Sequence, residues 1–509
     1  MICSSAGPAP EAVAGEAQPR WLRRAGPWIA GLGVFLFLAL NLTTLKPGHP
    51  PGGDFAHYII IAQNILAGRD YNSGVFMPGV LAQSYPPGFP LLLAPILHLA
   101  GPDLVLLKLP AMLLWPLCAW LLALIARRRL GGENALWVFL FMLLAPWFFV
   151  FKQSVLSDVP FTLLVTGAIW AFLNYGDGGE RRGGWLALAL AFTAASLLVR
   201  TAGVALVGAA VLYLALRRRA WAAALLTALA GAAMMVLVKL WAASAGEYLG
   251  LFHDPAFWLA RLARMLPAKL AKVLGFYFPL FRGGQWLLAG VEAAAGLALI
   301  CLAAWGWLKR GLPWRDWGLI CAFVALYMVM ILLWPFNEGP RFYAPVAGLL
   351  VIYLAQGLLA YFGRSRRLQR FRPQALLRAV LLAGLALNLF NTALLWSYSG
   401  DVVQRPADKA LYAWVQRNLG PADHYLYAYP RVLALFSGRT GDKYYWNESL
   451  AVNQARMDRP GLGWLILRRQ ADQAAVAAAG RDPRLTPAWS NGLYSVFRRG
   501  SAPAPAPGR

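Results

Sequence analysis

The chain has 509 residues, of which 59% are hydrophobic and only 14% charged, with a formal net charge of +25. An ordinary soluble domain carries roughly 25% charged residues, so a soluble globular enzyme is excluded. The basic excess does not point to nucleic acid either. Its arginines and lysines sit as short caps at the ends of apolar runs, at Arg127–Arg129, Arg217–Arg219, Lys309–Arg310 and from Arg364 to Arg378. That distribution marks the cytoplasmic face of a membrane protein.

Residues 1–20 are rich in Ala, Pro, Gly and Glu without a basic start, and read as a disordered cytoplasmic tail. Residues 21–399 hold long uncharged stretches such as Ala135–Val150, Trp185–Val199 and Ala220–Val238. Their length matches the roughly 17–25 residues of a transmembrane helix. The first expected span is Pro27–Thr44, running outward from the basic residues before it. Residues 45–103 then form an outer loop. Within it Phe89–Ala100 is apolar but too short to cross, and reads as a re-entrant or interfacial helix.

Further spans are expected at Leu104–Ala126, Ala135–Phe151 and Val159–Tyr175. The run from Trp185 to Leu216 is broken at Arg200–Gly203 into two short helices. Ala220–Ala243, Trp286–Leu308, Trp317–Trp334, Phe342–Phe362 and Ala375–Trp396 complete about eleven crossings. The outer segments are 45–103, 152–159, 244–285 and 335–341. This parity puts the basic clusters and the N-terminus inside and the C-terminus outside, in the plasma (inner) membrane of the cell.

From Gly400 the composition changes. Asp408–Leu419 has one-faced helical spacing, and His424–Tyr429, Trp464–Arg468 and Leu493–Arg498 are strand-like. Residues 400–499 are therefore expected to form a small extracytoplasmic α/β domain, and 500–509 a disordered tail. The four cysteines, Cys3, Cys118, Cys301 and Cys321, are scattered, and neither a disulfide nor a cysteine metal site is expected.

Acids are few, so their positions carry weight. Asp54, His57 and Tyr58 lie at i, i+3 and i+4, on one helical face of the first outer loop. Asp54 is either a helix cap or a surface carboxylate acting as base or metal ligand. Asp158, in Ser157–Asp158–Val159–Pro160, stands at a similar depth and carries the same two readings. Arg200 sits in an apolar run, where an arginine must snorkel or meet an anion. Glu338 and Arg341 share a third outer loop, where the plainest reading is a weak surface ion pair. The histidines form no metal set, and no nucleotide-binding or common hydrolase motif is present.

The order of these elements resembles the GT-C superfamily of membrane glycosyltransferases, and within it the bacterial branch of aminoarabinose transferases and protein O-mannosyltransferase-like enzymes. The resemblance rests on Asp54 with Tyr58, Tyr85–Pro86–Pro87–Gly88 before an apolar helix, Ser157–Asp158–Val159–Pro160, and Arg341–Phe342–Tyr343 with Pro345. It implies transfer of a sugar from a polyprenyl-phosphate donor to an acceptor hydroxyl of a glycolipid, polysaccharide or protein outside the membrane, generally with inversion.

By that resemblance Asp54 is the base and Asp158 a helper or metal ligand. Arg200 or Arg341 contacts the phosphate, and His57, Tyr58, Tyr85, Glu338 and Tyr343 line the substrate site. No cofactor is required by the sequence. A divalent metal is compatible with it, with Asp54 and Asp158 the ligands open to one. The sequence departs from the aminoarabinose branch at Phe55, where an acid often stands, and at Ser84–Tyr85, where a lysine often precedes the proline pair. A transporter or lipid flippase is the competing class, but such proteins place ionisable groups at midplane, usually with internal repeats. A non-catalytic scaffold is a third reading.

Overall fold

The computed structural model describes residues 20–50, 52–80, 85–242, 258–266, 314–334, 340–365, 371–394, 403–445 and 450–500, together with residue 368 and scattered positions between 269 and 308. Glu338, the expected span Trp286–Leu308, most of the loop 244–285 and the expected tails except Arg20 and Gly500 lie outside the described residues, apart from those scattered positions and 258–266.

Helix α1 spans Arg20–Thr43, α2 Asp54–Leu66, α3 Gly88–Ala100, α4 Leu104–Leu143, α5 Pro146–Phe151, α6 Asp158–Asp177 and α7 Arg182–Val199. Then come α8, Val204–Leu212, α9, Trp221–Ala242, α10, Trp314–Leu333, α11, Ala344–Arg364, and α12, Pro373–Leu394. Among the described residues, seven helices are long and apolar enough to cross a membrane. One of them, α4, has 40 residues, about 60 Å of helix and twice a bilayer core. It is two helical arms joined at Gly131, whose φ of 79° and ψ of 164° break the helix. A left-handed φ is open to glycine at little steric penalty.

The expected span Ala135–Phe151 is not one helix. It ends at Leu143, and the short α5 begins after Ala145 at Pro146, because proline cannot donate into a preceding turn. Helix α3 has 13 residues, about 20 Å, and falls short of the hydrocarbon thickness. Bundle packing is close where residues are small. A Cβ on Gly348 would stand 2.3 Å from Leu122 Cδ1, which sets α11 directly against α4.

Beyond the bundle lies a five-stranded sheet of β1 His424–Tyr427, β2 Gly441–Lys443, β3 Leu462–Arg468, β4 Leu485–Ser490 and β5 Tyr494–Arg499, in the order β2-β1-β3-β5-β4. The β1–β2 and β1–β3 pairs are parallel, and β5 pairs antiparallel with both β3 and β4. Parallel neighbours need crossovers. Helix α14, Pro430–Ser437, provides one between β1 and β2. Helix α13, Pro406–Asn418, precedes the sheet, and α15, Leu450–Met457, and α16, Gln473–Ala479, flank β3 in sequence. Strands β2 and β4 carry no strand signal in sequence, since β2 has three residues and β4 is an edge strand containing Pro487.

Strand alternation sends Trp464 and Ile466 of β3 toward the main core, and Leu465 and Leu467 into a second cluster. Met77, between α2 and α3, enters that second cluster and its amide donates to the Gly441 carbonyl at 3.2 Å. The segment between α2 and α3 is thus part of the sheet domain's core. This docking seats α14 against α2.

Candidate active site

Asp54 and Asp158 are the first helical residues of α2 and α6, and Arg341 lies in the 3-10 turn Pro340–Tyr343 leading into α11. Arg200 follows α7 in extended conformation. All four meet at one end of the bundle. Neither aspartate caps its helix by side chain. The N-cap positions are Gly53 and Ser157, with no side-chain capping bond at either. Both carboxylates are directed at arginines instead.

Arg341 Nη2 donates to Asp54 Oδ2 at 2.5 Å, and its Nη1 stands 4.0 Å from Asp158 Oδ2. Arg200 Nη1 donates to Asp158 Oδ1 at 2.5 Å. Asp158 Oδ2 is buried without a hydrogen bond. The ring of Phe342 lies 4.7 Å from the Arg200 guanidinium carbon and 5.2 Å from that of Arg341, close enough for cation–π attraction to both. Arg341 is largely buried rather than at the surface, with 18% of its side chain exposed. It reaches inward to Asp54, and its expected partner Glu338 lies outside the described residues.

A third guanidinium comes from the sheet domain. Arg431, the second residue of α14, donates through Nη2 to Asp54 Oδ1 at 3.2 Å and through Nη1 to Tyr85 Oη at 3.2 Å and His57 Nδ1 at 3.3 Å. Gly53 leaves its path open, since a Cβ there would stand 2.6 Å from Arg431 Nε. Tyr85 Oη donates to Asp54 Oδ1 at 2.8 Å. Sequence reading missed Arg431, which stands 377 positions from Asp54. The available hint is Gly52–Gly53 before Asp54, small residues that let another segment approach.

Burial acts to raise the Asp54 pKa, but Arg341 and Arg431, with the hydrogen bonds from Arg341 and Tyr85, outweigh it and hold the carboxyl well below its usual range. Burial, then the Asp54 charge, raises the Tyr85 phenol, which stays a neutral donor. Burial foremost, then Arg431, lowers His57 to about 3. With Arg431 donating to Nδ1, the neutral ring turns Nε2–H toward Asn72 Oδ1 at 3.5 Å.

Tyr58 donates to or accepts from Ser157 Oγ at 2.9 Å, tying α2 to the turn before α6. Tyr343 does not join the group. It is buried, and its hydroxyl donates to the Lys269 carbonyl at 3.1 Å. Lys108 and Lys152 hold the chain after α1. Lys108 Nζ donates to the carbonyls of Lys46, at 2.7 Å, and Gly48, and Lys152 Nζ to Thr44 Oγ1.

Among the described residues three guanidiniums thus surround two carboxylates, and their planar forks match an anion's oxygens. Arg341 stands between Asp54 and Asp158, and among the described residues no group of three His, Cys, Asp or Glu is placed to hold a metal ion.

Residues 84–242 match the family described as dolichyl-phosphate-mannose-protein mannosyltransferase. Three solved structures share the architecture across most of the chain. ArnT from Cupriavidus metallidurans is 15% identical, with a TM-score of 0.56 over 93% of this chain and 98% of that one. The archaeal oligosaccharyltransferase AglB from Archaeoglobus fulgidus is 11% identical, with a TM-score of 0.59 over 88% of this chain and 70% of that one. The chain has the GT-C fold. The arabinofuranosyltransferase AftD from Mycobacteria is 14% identical, with a TM-score of 0.54 over 94% of this chain but 40% of that one. No curated protein matches the sequence. ArnT has been solved with undecaprenyl phosphate bound, and AglB with a dolichol-phosphate.

Proposed function

We propose that the protein transfers a sugar from a polyprenyl-phosphate donor to an acceptor hydroxyl at the outer membrane surface, with inversion and with Asp54 as general base. The observation that carries this reading is the pair of carboxylates held among three guanidiniums at one end of the bundle. A phosphate leaving group departs as an anion and needs cationic stabilisation rather than a proton. The acceptor hydroxyl needs a carboxylate within hydrogen-bond reach to take its proton as the new bond to the anomeric carbon forms.

In this structure Asp54 is too well paired to be a good base. A donor phosphate competes with it for Arg341 and Arg431. As a guanidinium turns to the phosphate, Asp54 loses a stabilising partner and gains basicity. Asp158 is a positioning residue, holding Arg200 and facing Arg341. A cavity of about 200 Å³ in the sheet domain, lined by Tyr427, Tyr429 and Tyr494 among others and reached by Gly52, two residues before Asp54, offers space for the acceptor. The positive-inside rule puts this end of the bundle, and the sheet domain, outside. A site at the end of the bundle rather than its middle also favours surface chemistry over transport.

The test is mass spectrometry of cell-envelope glycolipids and glycoproteins from cells carrying wild-type or Asp54→Asn protein. The expected result is loss of the glycan beyond any fall in the amount of folded protein, since Gly53, not Asp54, is the N-cap of α2 but Arg341 and Arg431 lose their carboxylate. A variant that still supports the modification would remove Asp54 from the chemistry.

A further inference from the structure

His49 links α2 to the turn that leads into α6. It is buried, with 4% of the residue exposed. Its ring stacks on that of Phe55, the residue after Asp54, with centroids 3.7 Å apart and planes at 20°. Its Nε2 accepts from the Val155 amide at 2.9 Å, and Val155 stands shortly before Ser157 and Asp158.

Those partners fix the form of the ring. An amide N–H donates and does not accept, so Nε2 carries no proton. The proton of the neutral imidazole is then on Nδ1, which donates to the Pro50 carbonyl at 2.8 Å. Burial above all lowers His49 to about 3, which keeps this neutral form at neutral pH. Both nitrogens are committed, and turning the ring breaks both bonds.

The segment that carries His49 is fastened from two sides. Lys108 of α4 donates to the carbonyls of Lys46 and Gly48. From the turn before α6, Gln153 Oε1 accepts from the Lys46 amide at 3.0 Å, and Gln153 Nε2 donates to the Thr44 carbonyl at 2.8 Å. A parallel tie runs from Tyr58, on the same face of α2 as Phe55, to Ser157 Oγ at 2.9 Å. Two ties therefore join α2 to this turn. One is the Tyr58 hydroxyl on Ser157, and the other is the Phe55 ring on His49 with His49 on Val155. Asp54 precedes Phe55 and Asp158 follows Ser157, so both ties sit next to the carboxylates.

We propose that His49 is a positioning residue for sugar transfer, its Nε2 setting the turn that carries Asp158 against the helix that carries Asp54. This inference rests on the function proposed above. Arg200 is paired with Asp158, and Arg341 reaches from Asp54 toward Asp158. A displaced turn therefore moves the cations that face the base. A misplacement of about 1 Å can slow a reaction roughly a hundredfold.

The test compares His49→Gln with His49→Asn in the full chain. Glutamine brings its Oε1 to the place of Nε2 and accepts from Val155. Asparagine reaches only the place of Nδ1 and leaves the buried Val155 amide unpaired. Two quantities are read. One is the rate at which the envelope glycan appears after induction, per folded protein, and the other is amide exchange of residues 153–157 in the purified protein by mass spectrometry. His49→Asn should slow glycan formation roughly ten- to hundredfold and speed exchange at Val155. His49→Gln should keep most of the rate and the slow exchange. Equal rates in the two variants, whether both kept or both lost, would overturn the proposal. So would a slow His49→Asn variant whose Val155 amide stays as protected as in wild type. Wild-type protein that forms no more glycan than Asp54→Asn would refute the proposed function instead, and the positioning role with it.

Discussion

Arg431 is the cation through which the sheet domain reaches the candidate base, and its removal should slow transfer without releasing the domain. Its Nη2 pairs with Asp54 at 3.2 Å, and its Nη1 holds Tyr85 at 3.2 Å and His57 at 3.3 Å. A charge-assisted bond of this kind contributes about 1.5–3 kcal/mol. At 1.4 kcal/mol per tenfold, Arg431→Ala should reduce kcat/KM roughly ten- to hundredfold. Lysine can reach one of the three acceptors but cannot present the planar fork, so Arg431→Lys should recover only part of the loss. The domain stays docked in both variants, because Met77 remains buried in the sheet's second cluster and bonded to Gly441. The assay is transfer rate against donor concentration, repeated across pH. Without Arg431 the Asp54 carboxyl is less depressed, so the acid limb of the rate profile should move to higher pH. Wild-type rates and an unmoved acid limb in Arg431→Ala would refute the reasoning.

Acid should destabilise the protein through two buried histidines. His57 and His49 are lowered to about 3, in each case chiefly by burial. Groups that resist protonation when folded lend stability fully above their unfolded value of about 6.5 and lose it as pH falls toward 3. At pH 5 the loss is about 2 kcal/mol for each histidine, read as a falling thermal midpoint that His57→Gln makes shallower. Asp158→Asn strands Arg200, whose side chain is only 15% exposed, and should cost about 3–5 kcal/mol, seen in the same melting assay. Gly88→Ala places a Cβ 2.7 Å from the Leu198 carbonyl oxygen. The resulting shift of α3 against α7 should cost about 1–3 kcal/mol and lower transfer by moving Arg200, two residues along.

Much of the bundle is readable from the sequence because lipid imposes length and apolarity on every crossing. Asp54 and Asp158 stand out because acids are scarce, and Arg200 because an arginine interrupts an apolar run. Geometry then removes the capping reading of both aspartates, a choice that spacing alone leaves open, since a first-turn Asp looks the same whether it caps or reaches outward. Tyr343 looks like a site residue by its motif, yet its ring turns toward Lys269. Which way a side chain leaves a short 3-10 turn depends on neighbours that no local pattern records. Arg431 is illegible for a related reason. Its surroundings, Tyr429–Pro430–Arg431–Val432, signal only a helix start, and its role follows from how one domain docks on another.

The departure at Ser84–Tyr85 gains a physical reading from that docking. Where the resembling enzymes often carry a lysine before the proline pair, this chain carries Tyr85, whose hydroxyl donates to Asp54 and accepts from Arg431. A phenol cannot stabilise a phosphate by charge. The guanidinium beside it can, and it arrives from the sheet domain rather than from the loop. Moving the cation to another domain changes what completes the site. With the lysine, the first outer loop alone supplies both base and phosphate contact. With Arg431, this cation reaches Asp54 only while α14 lies on α2, so on the proposed function receipt of the donor phosphate and docking of the sheet domain would be energetically linked. Anything that tightens that docking should then tighten donor binding by the same factor.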